Sequence, residues 1–130
     1  MKLVFDSSSI FQAIIENKVS ILAGNYTLKL AKYELGNLVW KRRALMKDLE
    51  REECKKLMEI IKGTLNLMEV LDIECHEAEV AELAESLNLT FYDASYIFLA
   101  KSKGMSLVTE DKDIKNRVRD YIKVLSIGDF

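Results

Sequence analysis

Residues 2–11 read KLVFDSSSIF, three consecutive apolar residues followed by an acid and three serines. An unbroken apolar run of this kind is the pattern of a strand buried on both faces. Asp6 and the serines supply the side-chain oxygens that open helices. The chain therefore begins with a strand that passes straight into a helix over SSSIFQAIIEN (7–17), with Asp6 or a serine as its cap. The same grammar recurs near the end, where SLVT (106–109) precedes Asp111 and the short helical stretch DKDIKNRVRDY (111–121).

Working outward, KVSILAG (18–24) reads as a short second helix ended by Gly24, and YTLKL (26–30) as a strand. Helices follow over AKYELGNLVWKRRAL (31–45) and REECKKLMEIIKGTLNL (51–67), then a strand over MEVLDI (68–73). HEAEVAELAESLN (76–88) is helical, YDASYIFLAKSKG (92–104) is a helix closed by Gly104, and IKVLSI (122–127) is a last strand. Strands separated by whole helices predict a parallel sheet covered on both faces. No linker, repeat or low-complexity run interrupts the 130 residues, which fit one domain.

The composition is 49% hydrophobic and 31% charged, which fills a core and keeps the surface wet. A net charge of −2 excludes a uniformly basic nucleic-acid coat, though a local basic strip or bound cations can still hold a phosphate backbone. Cys54 and Cys75 have neither zinc-site nor redox spacing and are expected as buried or half-buried thiols of a reducing compartment. The opening apolar run is too short for a signal peptide, and no segment approaches the roughly 20 apolar residues of a membrane span. A cytoplasmic protein without a membrane segment is expected. With His76 the one histidine, a His-rich metal site is excluded. So is a catalytic histidine pair within one chain. His76 is expected at a helix start on the surface.

Four acids stand in informative places. Asp6 and Asp111 follow strands at their carboxyl ends, where open parallel sheets bind ligands; taken singly, each reads equally well as a helix cap. Asp93 opens a helix too apolar to face water, and it too could be a cap. Glu34 falls on the stripe of Ala31, Leu35 and Leu38, where a carboxylate is costly without a charged partner or a metal, and it reads equally well as a border residue reaching water. Asp113 is expected to be solvated. Two carboxylates 4 Å apart repel by roughly 4 kcal/mol at an effective dielectric near 20. Four gathered acids therefore call for a cation, and oxygen ligands alone suit Mg²⁺ or Mn²⁺.

The series VFDSS, YELGNLVWK, FYDASYIFLAK and LVTEDKD, in this order and at this spacing, resembles the PIN domain, in particular its VapC-type toxin branch. The resemblance covers essentially the whole chain. It implies a three-layer α/β/α sandwich with a parallel sheet ordered 3-2-1-4-5. It assigns the family's acids to Asp6, Glu34, Asp93 and Asp111, and its accessory polar positions to Ser7, Asn37 and Thr109. It further implies a Mg²⁺- or Mn²⁺-dependent endoribonuclease acting on RNA, assembled as a homodimer and restrained by a VapB-like antitoxin.

On this reading Asp6 and Asp93 are the central metal ligands. Glu34 and Asp111 complete the shell directly or through water. Ser7 and Thr109 orient a water or a carboxylate. Lys41, Arg42 and Arg43 are candidate contacts to the RNA backbone, although cations also suit a helix C-terminus. Lys112 is a weaker candidate. The apolar stripe of 51–70, with Trp40 and Tyr96, would serve core packing or a protein interface. Three rivals differ in their acids. A phosphoacceptor receiver would show an acidic pair after the first strand, and FDSS has one acid. A haloacid-dehalogenase-like phosphatase would need Asp-x-Asp, and Ser8 holds the second position. A non-catalytic PIN-fold RNA- or protein-binding module would keep the fold without cutting.

Overall fold

The computed structural model describes residues 2–130. Five short strands, β1 (Leu3–Phe5), β2 (Tyr26–Leu28), β3 (Glu69–Leu71), β4 (Ser106–Val108) and β5 (Val124–Leu125), form one sheet in the order 3-2-1-4-5. Every pairing is parallel, with Val4 opposite Tyr26 and Leu107, and Leu107 opposite Val124. The helices are α1 (Ser7–Ile15), α2 (Leu30–Ala44), α3 (Arg51–Asn66), α4 (Glu77–Leu87), α5 (Phe91–Lys103) and α6 (Lys112–Val118).

Side chains alternate across β1, and this alternation sorts the helices into two layers. Leu3 and Phe5 share one core with Ile10 and Ala13 of α1, Ala31, Leu35 and Val39 of α2, and Ile61 and Leu65 of α3. Val4 points the other way, with Leu28 and Leu107, into Tyr96, Ile97 and Ala100 of α5, Leu83 of α4 and Ile114 of α6. The expected three-layer α/β/α sandwich is what forms. α5 is buried through its middle (Ala94–Ile97, Leu99 and Ala100), where its sequence offers no polar face. Gly104 closes it with φ +64, a left-handed position that glycine adopts without strain.

Three expectations shift. KVSILAG is a single 3-10 turn over Val19–Ile21, not an α-helix. Leu22 N donates to Val19 O at 3.0 Å and Asn25 Nδ2 to Ile21 O at 2.7 Å, which turns the chain directly into β2. The last strand shortens to Val124–Leu125 because a second 3-10 turn, Ile127–Asp129, follows at once and buries Ile127. Cys75 is exposed rather than buried, and both cysteines are free.

Candidate active site at the carboxyl edge of the sheet

Asp6 leaves β1 still bonded into the sheet, its N–H donating to Val108 O at 3.2 Å, and caps α1 through Ser9 N at 2.9 Å. Only 4% of the residue is exposed. Ser8 Oγ donates to Asp6 Oδ1 at 2.7 Å, and the Thr109 hydroxyl donates to Oδ2. Burial pushes the Asp6 carboxyl up from its ordinary range, opposed by the hydrogen bonds from Thr109, Ser9 and Ser8.

Thr109 is fully buried and links two acids, because its oxygen also accepts from Asp111 N at 3.1 Å. Asp111 caps α6 through Oδ1, accepting from Asp113 N at 2.8 Å and Ile114 N at 3.3 Å. The cap reading and the site reading of Asp111 are therefore compatible. Asp113 is exposed, as expected.

Asp93 is not the cap of α5. Thr90 is, accepting from Asp93 N at 3.1 Å, so the Asp93 carboxylate does not cap the helix and lies in its first turn beside the Thr90 side chain. Its pKa is pushed up to about 6, first by burial, then by Asp111, against a lowering hydrogen bond from Thr90, and further by Asp6 and Glu34. Each neighbour raises it because a second negative charge disfavours ionisation. One carboxyl thus feels the other three, from four elements widely separated in sequence.

Glu34 is half-buried on α2 and finds its partner on α5, where Tyr96 OH donates to Oε1 at 2.7 Å. Burial first, and then the Glu34 charge, hold the Tyr96 phenol protonated far above its usual range. Sequence reasoning left Tyr96 between core and interface. It is 1% exposed, so an interface role is ruled out. The signal available was its place one turn after Asp93 in the largely apolar stretch from Phe91 to Ala100.

The serines that bond Asp6 are Ser8 and Ser9, neighbours of the expected Ser7, which makes no hydrogen bond to Asp6 among the described residues. Ser7 instead lines an open groove of ≈ 530 Å³ with Glu34 and Asn37. The basic cluster is also largely committed. Arg42 makes a two-pronged contact to Asp48 (3.0–3.3 Å), and Arg43 bonds Leu49 O at 3.0 Å, pinning the turn between α2 and α3. Lys41 is exposed and carries no ion pair among the described residues.

Among the described residues, no three His, Cys, Asp or Glu side chains are arranged to hold a metal ion as they stand. The acids cluster electrostatically without forming a closed cage. Asp6 Oδ2 accepts one hydrogen bond and retains acceptor capacity. The donor set fits a hard divalent cation. A larger cavity of ≈ 640 Å³ lies elsewhere, by Lys29, Asp72, His76 and Phe98. There Lys29 pairs with Asp72 and the His76 ring bonds Glu79, and none of the four acids of the sheet edge reaches it. His76 sits on the surface before α4, as expected.

Residues 4–119 match the family model described as the PIN domain. The chain is 35% identical over 97 residues to Exonuclease VapC9 of Pyrobaculum aerophilum, covering 75% of this chain and 69% of that protein. It is 30% identical over 127 residues to Ribonuclease VapC3 of the same organism, covering 90% of this chain and 95% of that protein. The chain belongs to the PIN-domain family, in its VapC-type branch.

Among solved structures, it is similar to PAE2754 from Pyrobaculum aerophilum, at TM-score 0.83 and 26% identity over 99% of this chain and 94% of that one. FitAcB from Neisseria gonorrhoeae shares the fold at TM-score 0.66 and 16% identity, covering 95% of this chain and 96% of that one. VapBC2 from Rickettsia felis, solved bound to a promoter DNA fragment, shares it at TM-score 0.65 and 17% identity, covering 97% and 98%.

Proposed function

We propose that this chain is a divalent-cation-dependent endoribonuclease, the toxin of a VapBC-type pair. The observation that carries the reading is the Asp93 carboxyl, raised to about 6 partly by Asp111, Asp6 and Glu34. Like charges brought together at the carboxyl edge of a parallel sheet store repulsion that a cation relieves. The names of the relatives VapC9 and VapC3 supply the nuclease activity.

Asp6 and Asp93 would hold the cation centrally, with Glu34 and Asp111 completing its surroundings directly or through water. A bound Mg²⁺ or Mn²⁺ would acidify a water for attack on the phosphodiester and neutralise charge on the phosphate and leaving oxygen. The chain's own residues supply the positioning. Ser8 and Thr109 hold both oxygens of Asp6, and Tyr96 holds Glu34. Asp111 is steered by its cap bonds and by Thr109. Asn37 and Lys41 follow Glu34 on α2 by three and seven residues, so Lys41 lies about 10 Å along the same face and could meet a backbone phosphate.

The resemblance also supports a homodimer restrained by a VapB-like antitoxin in the cytoplasm. The free thiols suit a reducing compartment, and among the described residues no helix is long and apolar enough to cross a membrane.

Purified protein should cut linear and circular RNA with Mn²⁺ or Mg²⁺ and stop with EDTA. Asp6→Asn and Asp93→Asn should each abolish cutting with the fold intact. Circular RNA left whole while linear RNA is trimmed would replace the endonuclease reading with an exonuclease one. Binding of RNA without cutting, under every metal condition, would favour a non-catalytic module.

A further inference from the structure

Two hydroxyls hold the Asp6 carboxylate, and two backbone N–H groups hold the hydroxyls. Ser8 Oγ donates to Asp6 Oδ1 at 2.7 Å and accepts from Glu110 N at 3.0 Å. The Thr109 hydroxyl donates to Asp6 Oδ2 and accepts from Asp111 N at 3.1 Å. Each accepted bond polarises the hydroxyl that donates onward. The two N–H groups are consecutive in the chain, so the turn over residues 109–111 orients Asp6.

Glu110, the acid between Thr109 and Asp111, holds that turn. The main-chain ladder between β4 and β5 ends with Thr109 N donating to Leu125 O at 2.9 Å. One rung further, a parallel ladder would bring Ile127 N to the Thr109 carbonyl. Instead Ile127 N donates to Glu110 Oε1 at 2.8 Å. The side chain closes the ladder, and the main chain leaves the sheet towards Ser8. The anchor is fixed, because Ile127 is fully buried in one core with Phe5 and Ile10. Glu110 is half-buried and is not among the charges that raise the Asp93 carboxyl, so it stands apart from the four acids.

We propose that Glu110 is a positioning residue of this site: by tying the turn after β4 to Ile127, it presents its own N–H to Ser8 and so sets Asp6 for the cation. The inference rests on the cation-dependent nuclease reading and adds a residue that touches neither cation nor RNA.

The test is a double-mutant cycle in Mn²⁺ affinity, read by calorimetry, with RNA cleavage and Tm in EDTA measured alongside. Glu110→Ala should weaken Mn²⁺ binding about tenfold and lower kcat for RNA by about as much, with KM within about threefold. Glu110→Gln keeps an acceptor for Ile127 N and should hold affinity and kcat within about threefold of wild type. In a Ser8→Ala background, Glu110→Ala should change Mn²⁺ affinity by less than about threefold, because the hydroxyl it acts through is gone. Glu110→Asp, one methylene short of Ile127, carries the same cycle if the Ala protein does not fold. If wild type cuts no RNA but the affinity cycle holds, the positioning stands and the nuclease reading falls. Wild type without Mn²⁺ binding overturns both. Affinity unchanged in Glu110→Ala despite a lower Tm overturns the inference, since the bond is then a tie of the fold alone. So does an equal loss with and without Ser8, or a Gln variant as weak as Ala, which would assign the effect to charge.

Discussion

The phenol of Tyr96 on α5 donates a 2.7 Å hydrogen bond to Oε1 of Glu34 on α2, joining helices whose cores lie on opposite faces of the sheet. The bond spans 62 positions in sequence and fixes the one site acid carried mid-helix. It also keeps a charge near the apolar stripe of Ala31 and Leu35 partnered. Tyr96→Phe removes the donor and leaves that carboxylate oxygen short of a partner. The expected loss is about 1.5–3 kcal/mol of stability in urea denaturation, with weaker Mg²⁺ binding by calorimetry. Unchanged Mg²⁺ affinity would make the bond purely structural.

Thr109 offers a sharper probe of Asp6. Thr109→Val keeps the volume but removes the hydroxyl that donates to Asp6 Oδ2 and accepts from Asp111 N. A buried carboxylate oxygen and a backbone N–H both lose a partner, at a cost of about 1–3 kcal/mol. RNA cleavage should fall by at least about tenfold, and Thr109→Ser should restore both stability and rate. Failure of the Ser variant to restore either would point to packing of the methyl group.

The pH dependence has a definite sign. Asp93 titrates near about 6 in the folded protein against 3.8 as its unperturbed value, first because of burial and then because of Asp111. Between these values the folded state binds the extra proton. Stability from this group is therefore present below about pH 4 and lost as pH rises through about 6. In EDTA, Tm should decline over this window more steeply for wild type than for Asp93→Asn. Mg²⁺ favours the ionised form and should flatten the decline. The acid limb of cleavage should lie at or below about pH 6 and move lower as Mg²⁺ rises. A limb indifferent to Mg²⁺ concentration would contradict the assignment.

Arg42 should matter little to catalysis. Its guanidinium is spent on Asp48 at 3.0 Å and lies over Phe11 at 5.9 Å. Arg42→Ala should cost within about 1 kcal/mol in stability and leave kcat/KM for RNA within about twofold. A loss of tenfold or more would return Arg42 to the substrate path.

The parallel sheet covered on both faces was legible because the apolar run of β1 and the whole helices between strands leave few other ways to bury it, whereas the strand order came from the family resemblance of the motifs and not from periodicity. Asp6 and Asp111 stood out because strand ends announce themselves in KLVFD and SLVTED, and Glu34 and Asp93 because each carboxylate sits in an otherwise apolar stretch of helix. Which serine turns back onto Asp6 was not legible. Ser7, Ser8 and Ser9 are chemically alike, and the choice depends on where β4 places Thr109 and Glu110 N. The cap of α5 was misplaced for a similar reason: Thr90 and Asp93 are both good caps, and only the backbone turn at Thr90 selects between them. The commitment of Arg42 depends on the path of a loop, which charge spacing does not encode. Tyr96 was hard to assign because its ring belongs to the core while its hydroxyl belongs to the site.

The account stands on one shared cation at the four carboxylates, and anomalous diffraction from crystals soaked in Mn²⁺ tests that most directly. The predicted result is an anomalous peak within coordination reach of Asp6 and Asp93, lost in Asp6→Asn crystals. A peak held only elsewhere, for instance by Asp72 and Glu74, or no peak at saturating Mn²⁺, would contradict it.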